Sequence, residues 1–324
     1  TPQIGRTHGQ HAVPITFGFA MAWYVQRLGD RIQGVDAAAS CLVGKMAGAV
    51  GAYNAASLLI PEPERLEEAV LRQLGIKPSP ISTQIAVPEP VLDWAHALIS
   101  TLGVLANFAD DMRHLQRSEI AEVGEAFSAE QVGSSTMPHK RNPWNLEHVK
   151  SLWKAFVPRM MTVYMDQISE HQRDLTNSAS GRFLPEVAAV LVHAAKRLAK
   201  VSRTLVVDRQ HMEQNLRESA PLFAAEPLYI LLAAAGHPDA HEAVRRLTLR
   251  PEAKEQTLIP LAEADPELSP YLSKLSPKQR ELLHHPEMYQ GRATVRALQI
   301  AERWESYLTT EAKEPAQGAA QSEL

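Results

Sequence analysis

The chain has 324 residues, of which 45% are hydrophobic and 22% are charged, and its formal net charge is −4. This is the composition of a globular protein with a sizeable core, so disordered and fibrous classes are excluded. A mild acidity without runs of like charge excludes the footprint of a nucleic-acid or membrane-surface binder. The single cysteine, Cys41, indicates a reducing compartment, and we expect a cytoplasmic protein.

The first third of the chain is predicted to be helical with breaks. Glycines 44, 48 and 51 interrupt the first helical region, and a short helix is predicted between Pro63 and Gly75. The clearest helix runs from about Pro90 to Arg117, where apolar residues recur every three or four positions on one face. It would be about 40 Å long at 1.5 Å per residue.

Two more apolar stripes, over residues 146–163 and 184–201, predict further long helices. Long helices with such stripes pack side by side, so we predict an all-α fold with a long-helix bundle over residues 1–235. Prolines then divide the sequence into short pieces, which predicts a smaller C-terminal helical domain over residues 236–310. Residues 311–324 are predicted to be a flexible tail. We find no alternating strand pattern of any length and no glycine-rich loop of the Rossmann or Walker type.

The most specific motif is Gly-Ser-Ser-Thr-Met-Pro-His-Lys-Arg-Asn-Pro at residues 133–143. Its density of turn formers and hydrogen-bond donors exceeds what a core requires, and a polar connection between helices is the less favoured alternative. A loop of this kind can present a hydroxyl base next to a cation. The stretch resembles the GSSxMPxKxNP motif of the fumarase/aspartase superfamily, whose members cleave C–N or C–O bonds and release fumarate. The resemblance implies the long-helix bundle of that superfamily.

A second motif, Thr7-His8-Gly9-Gln10, resembles the Thr-His-x-Gln motif of the same superfamily. With its flanks it is similar to the adenylosuccinate lyase family. His8 and His11 have an HxxH spacing, but no third ligand has helical spacing beside them, so we predict neither a metal nor a cofactor. His11 is interpreted as a hydrogen-bonded structural residue.

A third motif contains Arg173, Ser178 and Arg182, and on a helix the last two would share one face. Two guanidiniums and a hydroxyl form a good receptor for a phosphate group. A solvated helix face is the alternative interpretation. The segment resembles the one that binds the nucleotide phosphate in the adenylosuccinate lyase family.

The resemblance also implies catalytic roles. Ser134 would be the base that removes a C–H proton, provided that cations and N–H groups stabilise its alkoxide. Lys140 and Asn142 would bind the carboxylate on which charge accumulates. His8 would protonate the leaving nitrogen, and Glu147 would keep the His8 imidazole charged. Glu147 has an alternative interpretation as a favourable acid in the first turn of a helix. The other implied substrate-binding residues are Thr7, Gln10, Thr83, Gln84, Ser135, Met137, Arg173, Ser178 and Arg182.

The sequence departs from the family pattern in three places. Pro88-Glu89 stands where these lyases commonly have Arg-Asp, and Asn177–Gly181 replaces a usual His-Ser-Ser-Val-Glu. Both changes bear on the substrate more than on the reaction. The chain also begins at Thr1 without the region that superfamily members carry ahead of the Thr-His motif. Since family sites assemble from three subunits of a homotetramer, we expect a homo-oligomer. Because the N-terminal region is absent, we also expect that the site is incomplete in the chain as it stands.

The implied function is a lyase that releases fumarate by β-elimination from a succinylated amine. The implied substrates are adenylosuccinate and succinyl-aminoimidazole carboxamide ribotide, in purine nucleotide biosynthesis. One alternative is another superfamily lyase or a 3-carboxymuconate cycloisomerase-like enzyme, for which the third motif would be incidental. Another is an inactive helical scaffold or an incomplete fragment. The expected partners are a phosphorylated nucleotide that carries a succinyl group and other copies of the chain, without nucleic acid or membrane.

Overall fold

The computed structural model describes residues 1–126, 137, 140–250 and 258–311. Helices account for most of these residues, and the strands are short. The helices are α1 (Phe17–Ser40), α2 (Pro63–Gln73), α3 (Glu89–Leu115), α4 (Trp144–Phe156), α5 (Arg159–Met165), α6 (Leu184–Thr204), α7 (Arg209–Phe223), α8 (Ala225–Ala234), α9 (Ala240–Thr248), α10 (Leu258–Ala264), α11 (Ser269–Leu272), α12 (Pro277–His284) and α13 (Ala293–Glu311). The strands are β1 (Pro2–Thr7), β2 (Gln10–Thr16), β3 (Val43–Gly44), β4 (Lys77–Pro78), β5 (Val123–Gly124) and β6 (Val206–Val207).

The predicted long helices are present, with one break. The helix expected at about 90–117 is α3, and the stripe over 184–201 lies within α6. The stripe over 146–163 was expected to be one helix, but α4 ends at Phe156 and α5 begins at Arg159. Pro158 lies between them, and proline has no backbone N–H to continue a helical hydrogen-bond ladder.

The fold is mostly helical, as predicted, but it includes short strands although the sequence shows no alternating strand pattern. Strands β1 and β2 form an antiparallel hairpin whose register pairs Gln3 with Ile15 and Thr7 with Gln10. The register is irregular between Ile4 and Arg6, which shifts the side-chain alternation partway along β1. A bulge of this kind breaks the period-two pattern by which a strand is recognised in a sequence.

One compact unit consists of the segments Tyr24–His114, Gly124–Val206 and Arg303–Leu324. It contains the long helices, and a buried apolar cluster lies between α3, α5 and α6. Helix α3 is apolar enough to pass for a membrane span, with a mean hydropathy of 1.3 over an 18-residue window, but 56% of that window is buried inside the protein. Packing in a bundle core accounts for this apolarity. The buried members of the cluster are Leu92, Ala95, Leu98, Ile99, Met160, Val163 and Val187.

The other compact unit consists of Thr1–Trp23, Leu115–Val123 and Val207–Glu302. Its larger apolar cluster is built from α8 to α12, and a smaller one packs the β-hairpin on α7 through Ile4, Leu216 and Phe223. The predicted domains, bounded at residues 235 and 310, are continuous in sequence, unlike these two units, and those bounds stay a prediction.

A buried carboxylate joins the three segments of this second unit. The Glu122 side chain is fully buried and forms a bidentate salt bridge with Arg6, whose Nη2 and Nη1 lie 2.7 and 3.1 Å from Oε1 and Oε2. Gln3 Nε2 donates to Glu122 Oε2 at 2.7 Å, and Asn215 Nδ2 donates to Oε1 at 2.9 Å. The Glu122 backbone carbonyl also accepts the N–H of Asp208 at 2.9 Å. One residue therefore bonds to β1, to the N-cap residue of α7 and to a residue in the middle of α7.

Replacement of Glu122 by alanine should lower the free energy of unfolding by about 3–5 kcal/mol, because it leaves the guanidinium of Arg6 without its counter-charge. Urea denaturation measures the change. Glu213→Ala is the matched control, since its ion pair with Arg217 on α7 is exposed and should contribute less than about 1 kcal/mol. Equal losses in the two variants would contradict the structural role of Glu122.

Candidate functional site

The Thr-His-Gly-Gln motif forms the turn of the β-hairpin. Thr7 and Gln10 are the last paired residues, and His8 and Gly9 between them have φ of 54° and 74°. Two consecutive positive φ values define a type I′ turn, whose twist matches that of the flanking strands. All four residues are exposed. The predicted acid, His8, therefore occupies the tip of a tight turn in a conformation that non-glycine residues rarely adopt.

His11 has the structural role expected of it. Its Nδ1 lies 2.6 Å from the hydroxyl oxygen of Ser219 on α7, which also donates to the carbonyl of Asn215. This contact links β2 to α7. Among the described residues, no group of three or more His, Cys, Asp or Glu side chains could hold a metal ion.

The glycine- and serine-rich motif lies only partly within the described residues. Ser134 and Ser135 are outside them, so their predicted roles stay predictions. Met137 and Lys140 are exposed, and the Lys140 N–H donates to the Met137 carbonyl at 3.0 Å. The Asn142 carbonyl accepts the N–H of Trp144, the first residue of α4, at 2.9 Å. The end of the motif thus leads directly into the N-terminus of α4, where free N–H groups favour anions.

Glu147 lies in the first turn of α4, and its side chain is exposed. This position agrees with the alternative interpretation of Glu147, in which an acid in the first turn complements the helix dipole. Its predicted pairing with His8 stays a prediction, since His8 belongs to the other compact unit.

A buried acid that sequence reasoning missed also holds the start of α4. Glu125 accepts the backbone N–H of Leu146 at 2.8 Å and the Nδ2 of Asn145 at 2.7 Å. Asn145 in turn accepts a hydrogen bond from Arg197 Nη1 of α6 at 2.8 Å. The only signal in the sequence was an acid a few residues before the motif. This network fixes the helix end next to Lys140 and Asn142.

Two of the predicted binding segments meet in the structure. The N–H of Gln84 donates to the carbonyl of Gln172 at 3.3 Å, so the Thr83-Gln84 pair lies beside the residue that precedes Arg173. Thr83 makes a local turn with Ile85, whose carbonyl accepts the Thr83 N–H at 3.0 Å. The side chains of Gln84 and Arg173 are both exposed.

The third motif is not a continuous helix, so Ser178 and Arg182 do not share the face that they would have on a helix. Ser178 lies in a turn, and Arg182 ends a short 3₁₀ helix, Ser180–Arg182. The reason is local hydrogen bonding, because polar side chains compete with a helix for backbone groups. Asp174 accepts the N–H groups of Glu170 and Thr176 at 2.8 and 2.9 Å.

The same hydrogen bonds stabilise the ionised form of Asp174. The Thr176 hydroxyl, which donates at 2.6 Å, and the two backbone N–H groups hold the pKa of the Asp174 carboxyl below its usual range. Arg173 Nε donates to the Asp174 carbonyl at 3.3 Å. The side chains of Arg173, Ser178 and Arg182 are all exposed on this irregular segment.

Lys45 is a second residue that sequence reasoning missed. Its Nζ donates to the carbonyls of Thr83 and Gln84 at 3.0 and 3.2 Å. A lysine in a glycine-rich stretch, Gly44-Lys45-Met46-Ala47-Gly48, was the available signal. The structure therefore assembles part of the candidate site from three loops, at residues 45–53, 81–85 and 170–182. Together they offer cations, hydroxyls and amides to an anionic ligand.

Family models match most of the chain. A model described as "Lyase" matches residues 1–155, and one described as "Adenylosuccinate lyase C-terminal" matches residues 169–279. Among solved structures, the chain is similar to a 3-carboxy-cis,cis-muconate lactonizing enzyme from Pseudomonas putida, with a TM-score of 0.79 and 25% identity over 95% of this chain and 67% of that one. A fumarate lyase from Mesorhizobium sp. BNC1 matches with a TM-score of 0.77 and 23% identity, over 92% of this chain and 66% of that one. These matches and the helical bundle define a class, the fumarase/aspartase superfamily, to which the chain belongs.

Sequence relatives narrow this class. An adenylosuccinate lyase of Pyrococcus horikoshii is 36% identical over 90% of this chain, which spans 64% of that relative's length. An adenylosuccinate lyase of Methanothermobacter thermautotrophicus is 33% identical over 93% of this chain and 68% of its own length. The chain therefore belongs to the adenylosuccinate lyase family, and it spans less than two thirds of the Pyrococcus relative.

Replacement of Gly9 by alanine should lower the free energy of unfolding by about 1–2 kcal/mol, because a Cβ disfavours the left-handed region. No atom lies within 4 Å of the added Cβ, so backbone conformation is the cause. His8→Asn should leave stability within about 0.5 kcal/mol, since asparagine tolerates positive φ.

Thermal unfolding of each variant measures these changes. Gly124→Ala is the control, because Gly124 has equally open surroundings and no positive φ. A Gly9→Ala variant as stable as the control would contradict the type I′ turn.

Proposed function

We propose that this chain catalyses release of fumarate from adenylosuccinate, and from succinyl-aminoimidazole carboxamide ribotide, as a C–N lyase. Membership of the adenylosuccinate lyase family supports the reaction class. The observation that carries the proposal is the hydrogen bond from the Gln84 N–H to the Gln172 carbonyl. It brings the predicted substrate-binding pair next to the predicted phosphate-binding segment.

The proposed reaction is a β-elimination. The Ser134 alkoxide removes a proton from the carbon β to the departing nitrogen, and Lys140 and Asn142 bind the adjacent carboxylate, which takes up the negative charge. The C–N bond then breaks, its electron pair goes to nitrogen, and His8 supplies the proton that nitrogen requires. The products are fumarate and AMP, or fumarate and the free carboxamide ribotide. In this scheme Glu147 keeps His8 charged between turnovers.

The remaining residues bind substrate. Thr7, Gln10, Thr83, Gln84, Ser135 and Met137 contact the succinyl and base portions in this proposal. Exposed guanidiniums at Arg173 and Arg182, with the Ser178 hydroxyl, bind the phosphate, for which an irregular loop serves as well as a helix face. The scheme uses no metal or cofactor.

We also propose a homotetramer that works in purine biosynthesis in the cytoplasm. Large apolar side chains that stand in solvent support self-association, since such surface usually marks an interface. Leu58, Leu59 and Ile168 are 83%, 88% and 79% exposed. A second copy of the chain is the partner that the family resemblance implies.

A second candidate reaction is that of a 3-carboxymuconate cycloisomerase-like enzyme. It is favoured by the similarity in fold to the Pseudomonas putida lactonizing enzyme and by Pro88-Glu89, where the adenylosuccinate lyases commonly have Arg-Asp. The higher identity to adenylosuccinate lyases, 36% against 25%, places this candidate second. The two reactions differ in their need for a phosphate site.

Ser134→Ala should lower kcat for fumarate release by about 10²–10⁴-fold, since the variant has no base. The assay follows fumarate by ultraviolet absorbance, with the chain alone and with the part of the Pyrococcus relative that it does not match. Ser151→Ala on α4 is the control and should retain wild-type turnover. A Ser134→Ala variant with undiminished kcat would overturn the mechanism.

Arg182→Ala should raise KM for adenylosuccinate by about 10–100-fold, the value of a hydrogen bond to a charged group. Arg203→Ala removes an exposed arginine at the end of α6 and is the matched control. An unchanged KM would reject the nucleotide assignment, and turnover of phosphate-free carboxymuconate would then favour the second candidate.

A further inference from the structure

Lys45 makes three hydrogen bonds, all to backbone carbonyls. Its Nζ lies 2.5 Å from the oxygen of Gly48, 3.0 Å from that of Thr83 and 3.2 Å from that of Gln84. An ammonium group has three N–H donors, so these contacts use all of them. The side chain is half-buried, and it joins the loop on which it lies to the loop of the proposed substrate-binding pair.

The described contacts of Lys45 are with carbonyl groups. In the part of the chain that the structure describes, no carboxylate forms a salt bridge with it. The three carbonyl dipoles stabilise the ammonium group, and its positive charge contributes a favourable potential at a site for a polyanionic substrate.

The Lys45 contact continues through a single peptide group. The carbonyl of Thr83 accepts from Lys45, and the N–H of the same peptide, which belongs to Gln84, donates to the Gln172 carbonyl. Hydrogen bonds in such a chain polarise and strengthen one another. Because a peptide group is planar, these two bonds fix the orientation of the backbone between Thr83 and Gln84.

The loop that carries Lys45 is itself anchored. Glu67 of α2 is buried and accepts the Met46 N–H and the Tyr53 hydroxyl, the latter at 2.5 Å. The hydrogen bond to Glu67, with a smaller contribution from burial, raises the pKa of Tyr53 to about 12. Tyr53 has a φ of 53°, a conformation that this contact helps to hold. Lys45 therefore extends from a fixed support.

The two loops also approach each other closely at a glycine. Gly51 has a φ of 79°, and a Cβ on it would lie 1.9 Å from the Ser82 carbonyl oxygen. Only glycine permits this backbone contact. The segment from Lys45 to Tyr53 thus packs directly against the backbone of residues 82–84.

We propose that Lys45 is a positioning residue for the Thr83-Gln84 pair, and through Gln172 for the segment that carries Arg173. This inference rests on the proposed function, since it assigns Thr83 and Gln84 to the substrate. Its role is to hold both residues in the binding orientation before the substrate arrives, which lowers the entropic cost of binding. The residue acts on substrate affinity rather than on bond cleavage.

Lys45→Met should raise KM for adenylosuccinate about tenfold or more, while kcat falls by less than about threefold, because the lost interaction orients a binding element. Lys45→Arg should restore KM to within about threefold of wild type, since a guanidinium can donate to the same carbonyls. Lys77→Met removes an equal charge from an exposed position of β4 and should leave both constants unchanged.

Hydrogen exchange supplies a second readout that needs no turnover. The Gln84 amide should exchange about tenfold faster in Lys45→Met than in wild type or Lys77→Met. If the wild-type chain, with or without the supplement, releases no fumarate, the proposed function fails and exchange alone decides the role of Lys45. A KM within twofold of wild type in Lys45→Met, or unchanged exchange at Gln84, would overturn the positioning role.

Discussion

The buried carboxylate of Glu122 is the interaction on which one compact unit depends. It accepts hydrogen bonds from Gln3 and Arg6 near the start of the chain and from Asn215 some 90 residues after it. A charge without access to water is tolerated only when such partners surround it. The partners come from separate segments, so the carboxylate requires these segments to meet. The β-hairpin is held against α7 as a result, and with it the turn that carries His8.

The candidate site in the other unit relies on a different device. Its segments are irregular, and backbone groups hold them together: the Gln84 N–H to the Gln172 carbonyl, and the Lys45 ammonium to two carbonyls of residues 83 and 84. Irregular backbone leaves N–H and C=O groups that a helix would have paired internally. Here these groups form hydrogen bonds between the loops, so the backbone is held in place while the functional side chains remain exposed.

Elements with a strong local sequence pattern were predicted correctly, and those with a weak or interrupted pattern were not. Helix α3 was predicted to within about two residues because 27 residues repeat one apolar period. The hairpin was missed because Gly5 and Pro14 interrupt its alternation, although His8-Gly9 was a recognisable two-residue turn. Ser178 and Arg182 do not share a helix face because Asp174 and Thr176 satisfy the backbone locally. Glu125 and Lys45 had only weak sequence signals, since the partners that define their roles are distant in sequence.

The sequence by itself determined the class of fold, the family and the chemical character of the site, because apolar periodicity and short motifs are local properties of the chain. Only the tertiary structure decided which loops meet, that the Thr-His motif is a tight turn with positive φ and that a buried acid and a lysine bound to backbone carbonyls support the site. Those facts depend on contacts between residues far apart along the chain. A pattern read one segment at a time contains no information about which distant group will satisfy a given hydrogen bond.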